Sequence, residues 1–136
     1  MFGFGVAGCL YGQIEDLLLL LNCVLFVGIG NHYIEYDNLF KSLFESFNSR
    51  YDKLNNQLES IPSEGELTKE QKAVLIDYFN LCGEEYFWFG RGRIPKEVWV
   101  SWEAGMKHYL RKPPIRAFYE EEVSGSTSYY GWKIDL

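Results

Sequence analysis

The chain has 136 residues, 47% of them hydrophobic and 24% charged, and a net charge of −6. That length suits one domain, and the composition excludes a chain disordered throughout. The acidic balance argues against a nucleic-acid binder, because a phosphate backbone rewards a basic surface. Aromatics reach 18%, so a small core can still be dense. Three cysteines, Cys9, Cys23 and Cys82, form no close pair and read as buried thiols in a reducing compartment.

Residues 1–30 form an apolar N-terminal segment. Up to Gly12 only apolar residues, Gly and Tyr occur; Gln13, Glu15 and Asp16 follow, and then a second apolar run, residues 17–30, interrupted by Asn22. As a helix that run covers about 21 Å, against a bilayer core of roughly 30 Å. No Lys or Arg precedes Lys41, so the basic start of a secretory signal is missing. Three readings fit: a buried core helix, a short or interfacial membrane anchor, or a segment poorly ordered and outside the domain. If it inserts, Lys41, Arg50 and Lys53 behind it place the main domain in the cytoplasm, at the inner face of the membrane.

Residues 31–123 form the helical domain. Asn31 suits a helix cap, with Glu35 and Asp37 in the first turns. Tyr36, Phe40, Leu43, Phe47, Tyr51, Leu54, Leu58 and Ile61 then recur every three or four residues, widened by Leu39 and Phe44. This spacing predicts one long amphipathic helix, a wall of a bundle rather than a free coiled coil. Pro62 stops it, and the stretch around residues 60–67 reads as an exposed loop.

Thr68 and Gln71 match a capping box. The next helix shows Leu75, Tyr78, Phe79, Cys82, Tyr86 and Phe89 on one face, broadened by Ile76 and Trp88. Gly83 sits inside it and suggests a close crossing by another helix. Gly90 reads as the residue just past its end, and Pro95 opens another helix with Val98, Trp99, Trp102, Met106, Tyr109 and Leu110 at helical spacing. The short turn at Gly90-Arg91-Gly92-Arg93 makes the two an antiparallel hairpin, and the stripe places Trp102 in the core. Pro113-Pro114 ends it, Ile115, Phe118 and Tyr119 lie on a short last helix, and residues 124–136 form an extended tail whose aromatics dock back. The expected fold is therefore all-α: a long amphipathic helix packed on an antiparallel helical hairpin, with a short C-terminal helix and an aromatic tail.

The run Arg50 to Leu54, then Asp77 to Tyr86, then Ile94-Pro95 and Val98-Trp99-x-x-Trp102-x-x-Gly105-Met106 resembles a group of small uncharacterised bacterial proteins of the domain-of-unknown-function type. The resemblance covers roughly Phe40 to Gly131. It implies one N-terminal membrane span and a cytoplasmic helical domain, and it implies no activity. This chain departs from the group at its N-terminus, where the group's span is longer and is followed by basic residues.

Residues that carry chemistry are few. His32 and His108 have no partner at metal-ligand spacing, and Gly90 to Arg93 lacks the strand and pattern of a phosphate loop. No catalytic, metal or cofactor residue is therefore assigned. Glu84 and Glu85 point about 100° apart on a helix, so one of them at most faces a given site; they read first as a solvated pair or as partners of Arg91 and Arg93.

Charge divides along the chain. Arg91 to Arg116 holds seven basic and two acidic residues, whereas Glu59 to Glu85 holds seven acidic and two basic ones. The two stretches neutralise one another or serve an anionic surface, with Arg91, Arg93, Arg111 and Lys112 as the candidate anion contacts. Trp99 and Trp102 suit a core stripe better than base stacking.

The reading is a non-enzymatic helical interaction or regulatory protein, either free or membrane-associated, whose partner is itself or another protein. Its candidate interaction face is Tyr36, Phe40, Leu43, Phe44 and Phe47. That face outruns its hairpin partner, so the N-terminal segment folding back or a second copy must cover it. The alternative is a small-molecule-binding protein or enzyme with a pocket near Glu85, Arg91, Arg93 and Trp102.

Overall fold

A computed structural model describes residues 4–124 and 128–135, with side chains from Gly12 onward. Cys9 and the apolar side chains before Gly12 lie outside the described residues. The protein is all-α: α1 (Phe4–Ser60), α2 (Lys69–Gly90), α3 (Lys96–Leu110) and α4 (Pro113–Val123), then a short 3₁₀ turn (Ser128–Gly131). Residues 1–39 and 40–136 are separate compact units.

α1 runs unbroken through Asn31, so the expected helix start there is corrected. The reason is energetic. Gly28 and Gly30 each weaken a helix by about 1 kcal/mol, whereas breaking the ladder would leave several backbone groups without partners. Every residue from Gly12 to Glu35 is exposed.

In the second unit, α2 is the centre. Thr68 caps it as expected: its hydroxyl accepts from the Gln71 backbone at 3.2 Å, and the Gln71 side chain accepts from the Thr68 backbone at 2.9 Å. Leu75, Tyr78, Phe79 and Cys82 are buried, and so is Leu81, on another face. α2 is covered on several sides, by α3, α4 and the tail. Tyr86 and Ile76, expected on the buried face, are exposed. The hairpin turn uses Gly92 rather than Gly90 for the left-handed backbone, at φ 66°.

The C-terminal half of α1 joins this core through Phe47, Leu58 and, just past its end, Ile61. Its last carbonyls are met from the α3–α4 junction: the Lys112 ammonium donates to the carbonyls of Leu58, Glu59 and Ile61, the last at 2.9 Å. A cation at a helix C-terminus also suits the helix dipole.

Pro113-Pro114 starts α4, because a proline nitrogen is wasted least in a first turn. The tail docks as expected. Trp132 is fully buried among Phe79 and Tyr119, and the Ile134 N–H donates to the Tyr119 hydroxyl at 3.1 Å. Gly83 has its explanation here, and the expected helix crossing is corrected. A Cβ at Gly83 would lie 2.8 Å from the Tyr129 carbonyl oxygen, so the tail crosses α2 at this point. Tyr129 and Tyr130 adopt left-handed backbone, φ 53° and 57°, to make that approach.

Candidate functional site

Two features stand apart from ordinary core packing, one in each unit. The first is the apolar part of α1. Large hydrophobic side chains from Ile14 to Ile34 are 52% to 76% exposed. A window of 18 residues in this helix has mean hydropathy 1.8 and no buried residue. Residues 17–34 carry no Asp, Glu, Lys or Arg. At 1.5 Å per residue they cover about 27 Å, close to a hydrocarbon core of roughly 30 Å. Asn22, the polar interruption, donates its side-chain amide to the Leu18 carbonyl at 2.9 Å, within its own helix. His32 and Tyr33 stand at the end nearer the basic residues, where polar-tipped aromatic groups suit a membrane interface.

The second feature is in the helical domain. Glu84 and Glu85 separate as their helical angle requires. Glu84 takes Arg50 in a two-pronged pair, at 2.6 and 2.9 Å. Glu85 turns the other way, is 7% exposed, and lines a cavity of about 220 Å³ with Asn48, Tyr51, Tyr78, Trp102 and Met106. Its carboxyl group takes no hydrogen bond and no ion pair among the described residues. Burial pushes the acid up to about 8, against the pull of the Arg50 guanidinium and with Glu84 adding to the rise.

Beside this cavity the hydroxyls of Tyr51 and Tyr109 lie 3.0 Å apart, and the Tyr109 hydroxyl is 2.9 Å from both Asn55 Oδ1 and Glu59 Oε1, with one proton to share between them. Burial, then the Tyr51 and Glu59 contacts, hold the Tyr109 hydroxyl well above its ordinary range. The Cys82 thiol is raised by burial too, which makes it unreactive.

The expected site residues are partly gathered. Glu85 and Trp102 share the cavity, but Arg91 and Arg93 do not line it. Arg91 lies over the Phe87 ring, 4.5 Å from its centre. The four candidate anion contacts are divided between the two ends of α3, Arg91 and Arg93 before it and Arg111 and Lys112 after it. Lys112 is occupied by the α1 carbonyls.

On the candidate interaction face, Phe47 is buried, Tyr36, Phe40 and Leu43 are half-buried, and Phe44 is 39% exposed. Phe44 stacks on Trp102 and Phe47 meets it edge-on, each at 5.9 Å. Trp102 of α3 thus packs on Phe44 and Phe47 of the stripe and leaves Phe44 partly open. Trp102 itself is half-buried rather than in the core, and Trp99 is the buried one, stacked on Phe89 at 4.9 Å.

Sequence reasoning missed Asn48 and Tyr51 as cavity residues. The signal was present in Asn48, a polar residue beside a buried aromatic stripe. Among the described residues no His, Cys, Asp and Glu cluster fits a metal ion. Comparison with family models, with curated proteins and with solved structures finds no match.

Proposed function

We propose that the protein is a membrane-anchored, non-enzymatic helical module. Residues 17–34 of α1 cross or enter the bilayer, and the domain beginning near Phe40 works on the cytoplasmic side through contacts with a protein, itself or another. The observation that carries this reading is the continuous exposure of large apolar side chains from Ile14 to Ile34, far more than soluble surfaces leave open.

The flanking charge supports the orientation. Glu15 and Asp16 precede the span, and Lys41, Arg50 and Lys53 follow it. The resemblance to small bacterial proteins with one N-terminal span points the same way. On the domain, Phe44, Ile76 and Val100 are exposed apolar side chains available to a partner.

Fractionation of cells expressing the full chain tests the proposal. The protein stays in the membrane pellet through a high-salt and an alkaline wash, and a form lacking residues 1–34 moves to the supernatant. Recovery of the full chain in the supernatant after lysis, as a monodisperse species without detergent, would refute the anchor.

A further inference from the structure

The cavity at Glu85 is independent of the membrane reading, and its chemistry selects a ligand. We propose that it is a binding site for a compact organic cation, an alkylammonium or quaternary ammonium group, held by the Glu85 carboxylate against the Tyr51, Tyr78 and Trp102 side chains.

Three observations converge on a cation. The cavity of about 220 Å³ is walled by Tyr51, Tyr78, Trp102 and Met106, with Asn48 and Ser101 as small polar groups and Gly105 leaving space. Aromatic faces carry negative potential and attract cations, most strongly when water is excluded. No basic residue lines the cavity. Arg50, whose charge reaches Glu85, is held by its two-pronged bond to Glu84, so Glu85 has no ion pair of its own among the described residues.

A buried carboxyl with neither hydrogen bond nor ion pair is expensive to ionise. A ligand bringing the missing positive charge removes that penalty, whereas a neutral or anionic ligand does not. Size fits as well. A cavity of about 150 Å³ takes benzene, so by proportion this one takes a ligand of roughly nine heavy atoms.

The groups facing Glu85 set its pH behaviour. They are Arg50 and Tyr51 from α1 and Tyr78, Cys82 and Glu84 from α2, while α3 contributes only the uncharged Ser101, Trp102, Gly105 and Met106. Burial holds the protons of Tyr78 and Cys82, so Glu85 is the group that changes state near neutrality. A cation binds the ionised form, and only a few per cent of an acid with its midpoint at about 8 is ionised at pH 6.5. Affinity should therefore rise roughly thirtyfold between pH 6.5 and pH 9.

The test uses the full chain in a maltoside detergent, which carries no ammonium group. Choline and its uncharged isostere 3,3-dimethylbutan-1-ol are titrated by calorimetry and by tryptophan fluorescence. Choline is expected to bind, with the isostere at least tenfold weaker and the stated rise with pH. Glu85→Gln should weaken choline at least tenfold. Gly105→Leu should block it while preserving the fold, because a Cβ at Gly105 meets nothing within 4 Å.

A water-soluble phosphocholine with short chains, kept below its micelle concentration, separates the sources. If choline alone binds, the ligand is a free ammonium; if both bind, it includes a lipid headgroup. The site assignment is overturned if choline at millimolar concentration gives no signal. It is equally overturned if the isostere matches choline, or if Glu85→Gln and Gly105→Leu both bind it as the parent does.

Discussion

Adjacent glutamates on α2 illustrate how one helical step divides two identical side chains. Glu84 is paired with Arg50, whereas Glu85 faces a cavity with its acid held up at about 8. The sign of the resulting pH effect follows from linkage. In the folded protein Glu85 keeps a proton that the unfolded chain releases above pH 4.5. Its contribution is therefore fully present below that pH and is lost as pH rises through 8. Urea melts of the parent and Glu85→Gln at pH 5 and pH 8.5 should show the variant gaining on the parent by up to on the order of 4 kcal/mol. Parallel stabilities at both values would mean that Glu85 is solvated. Two glycines give a second residue-scale contrast. Gly105→Ala should stabilise by about 1 kcal/mol through helix propensity. Gly83→Ala should destabilise by about 1–3 kcal/mol, because its Cβ meets the Tyr129 backbone. Shifts of the same sign in thermal melts would mean that the tail does not cross α2 at Gly83.

Among the elements, the periodic stripes were legible and the exact neighbours were not. Every three- and four-residue spacing from Phe47 to Leu110 marked a helix the structure contains, and the Thr68–Gln71 box marked an end. Spacing records which residues share a face and is silent on what covers it. Trp99 and Trp102 lie three residues apart on one face, yet Trp99 is buried against Phe89 while Trp102 is half open at the cavity. Trp99→Ala should accordingly cost ~3–5 kcal/mol, and Trp102→Ala about 2 kcal/mol. Equal losses in denaturant melts would place both side chains in the same environment. The start of a separate helix at Asn31 was misread because a capping residue also fits inside a helix when nothing breaks the ladder. Gly83 was legible as a close approach, but the approaching group is a tail turn that no local pattern announced. The cavity was half legible: Glu85 and Trp102 lie on elements the sequence marked, while Asn48 and Tyr51 reach it from α1, over thirty residues away in the chain.

At the scale of the whole molecule, the proposed anchor would place one chain in two different solvents. The unit from Phe40 onward buries Leu58, Phe79, Ile115 and Trp132 as a water-soluble domain does, whereas the side chains from Gly12 to Glu35 are all exposed. Under the proposed membrane anchor, hydrocarbon would satisfy that surface without tertiary contacts, since a helix pairs its own backbone groups. Cys23 reports on this directly. It is an exposed thiol in the middle of residues 17–34, while Cys82 is buried in the domain. In a Cys9→Ser chain held in sealed and in opened membrane vesicles, a water-soluble maleimide should leave Cys23 unmodified. A thiol in hydrocarbon does not form the reactive thiolate. After detergent denaturation the same residue should label fully, with the site assigned by mass spectrometry. Labelling of Cys23 in intact vesicles at the rate of a free thiol in water would contradict the membrane account.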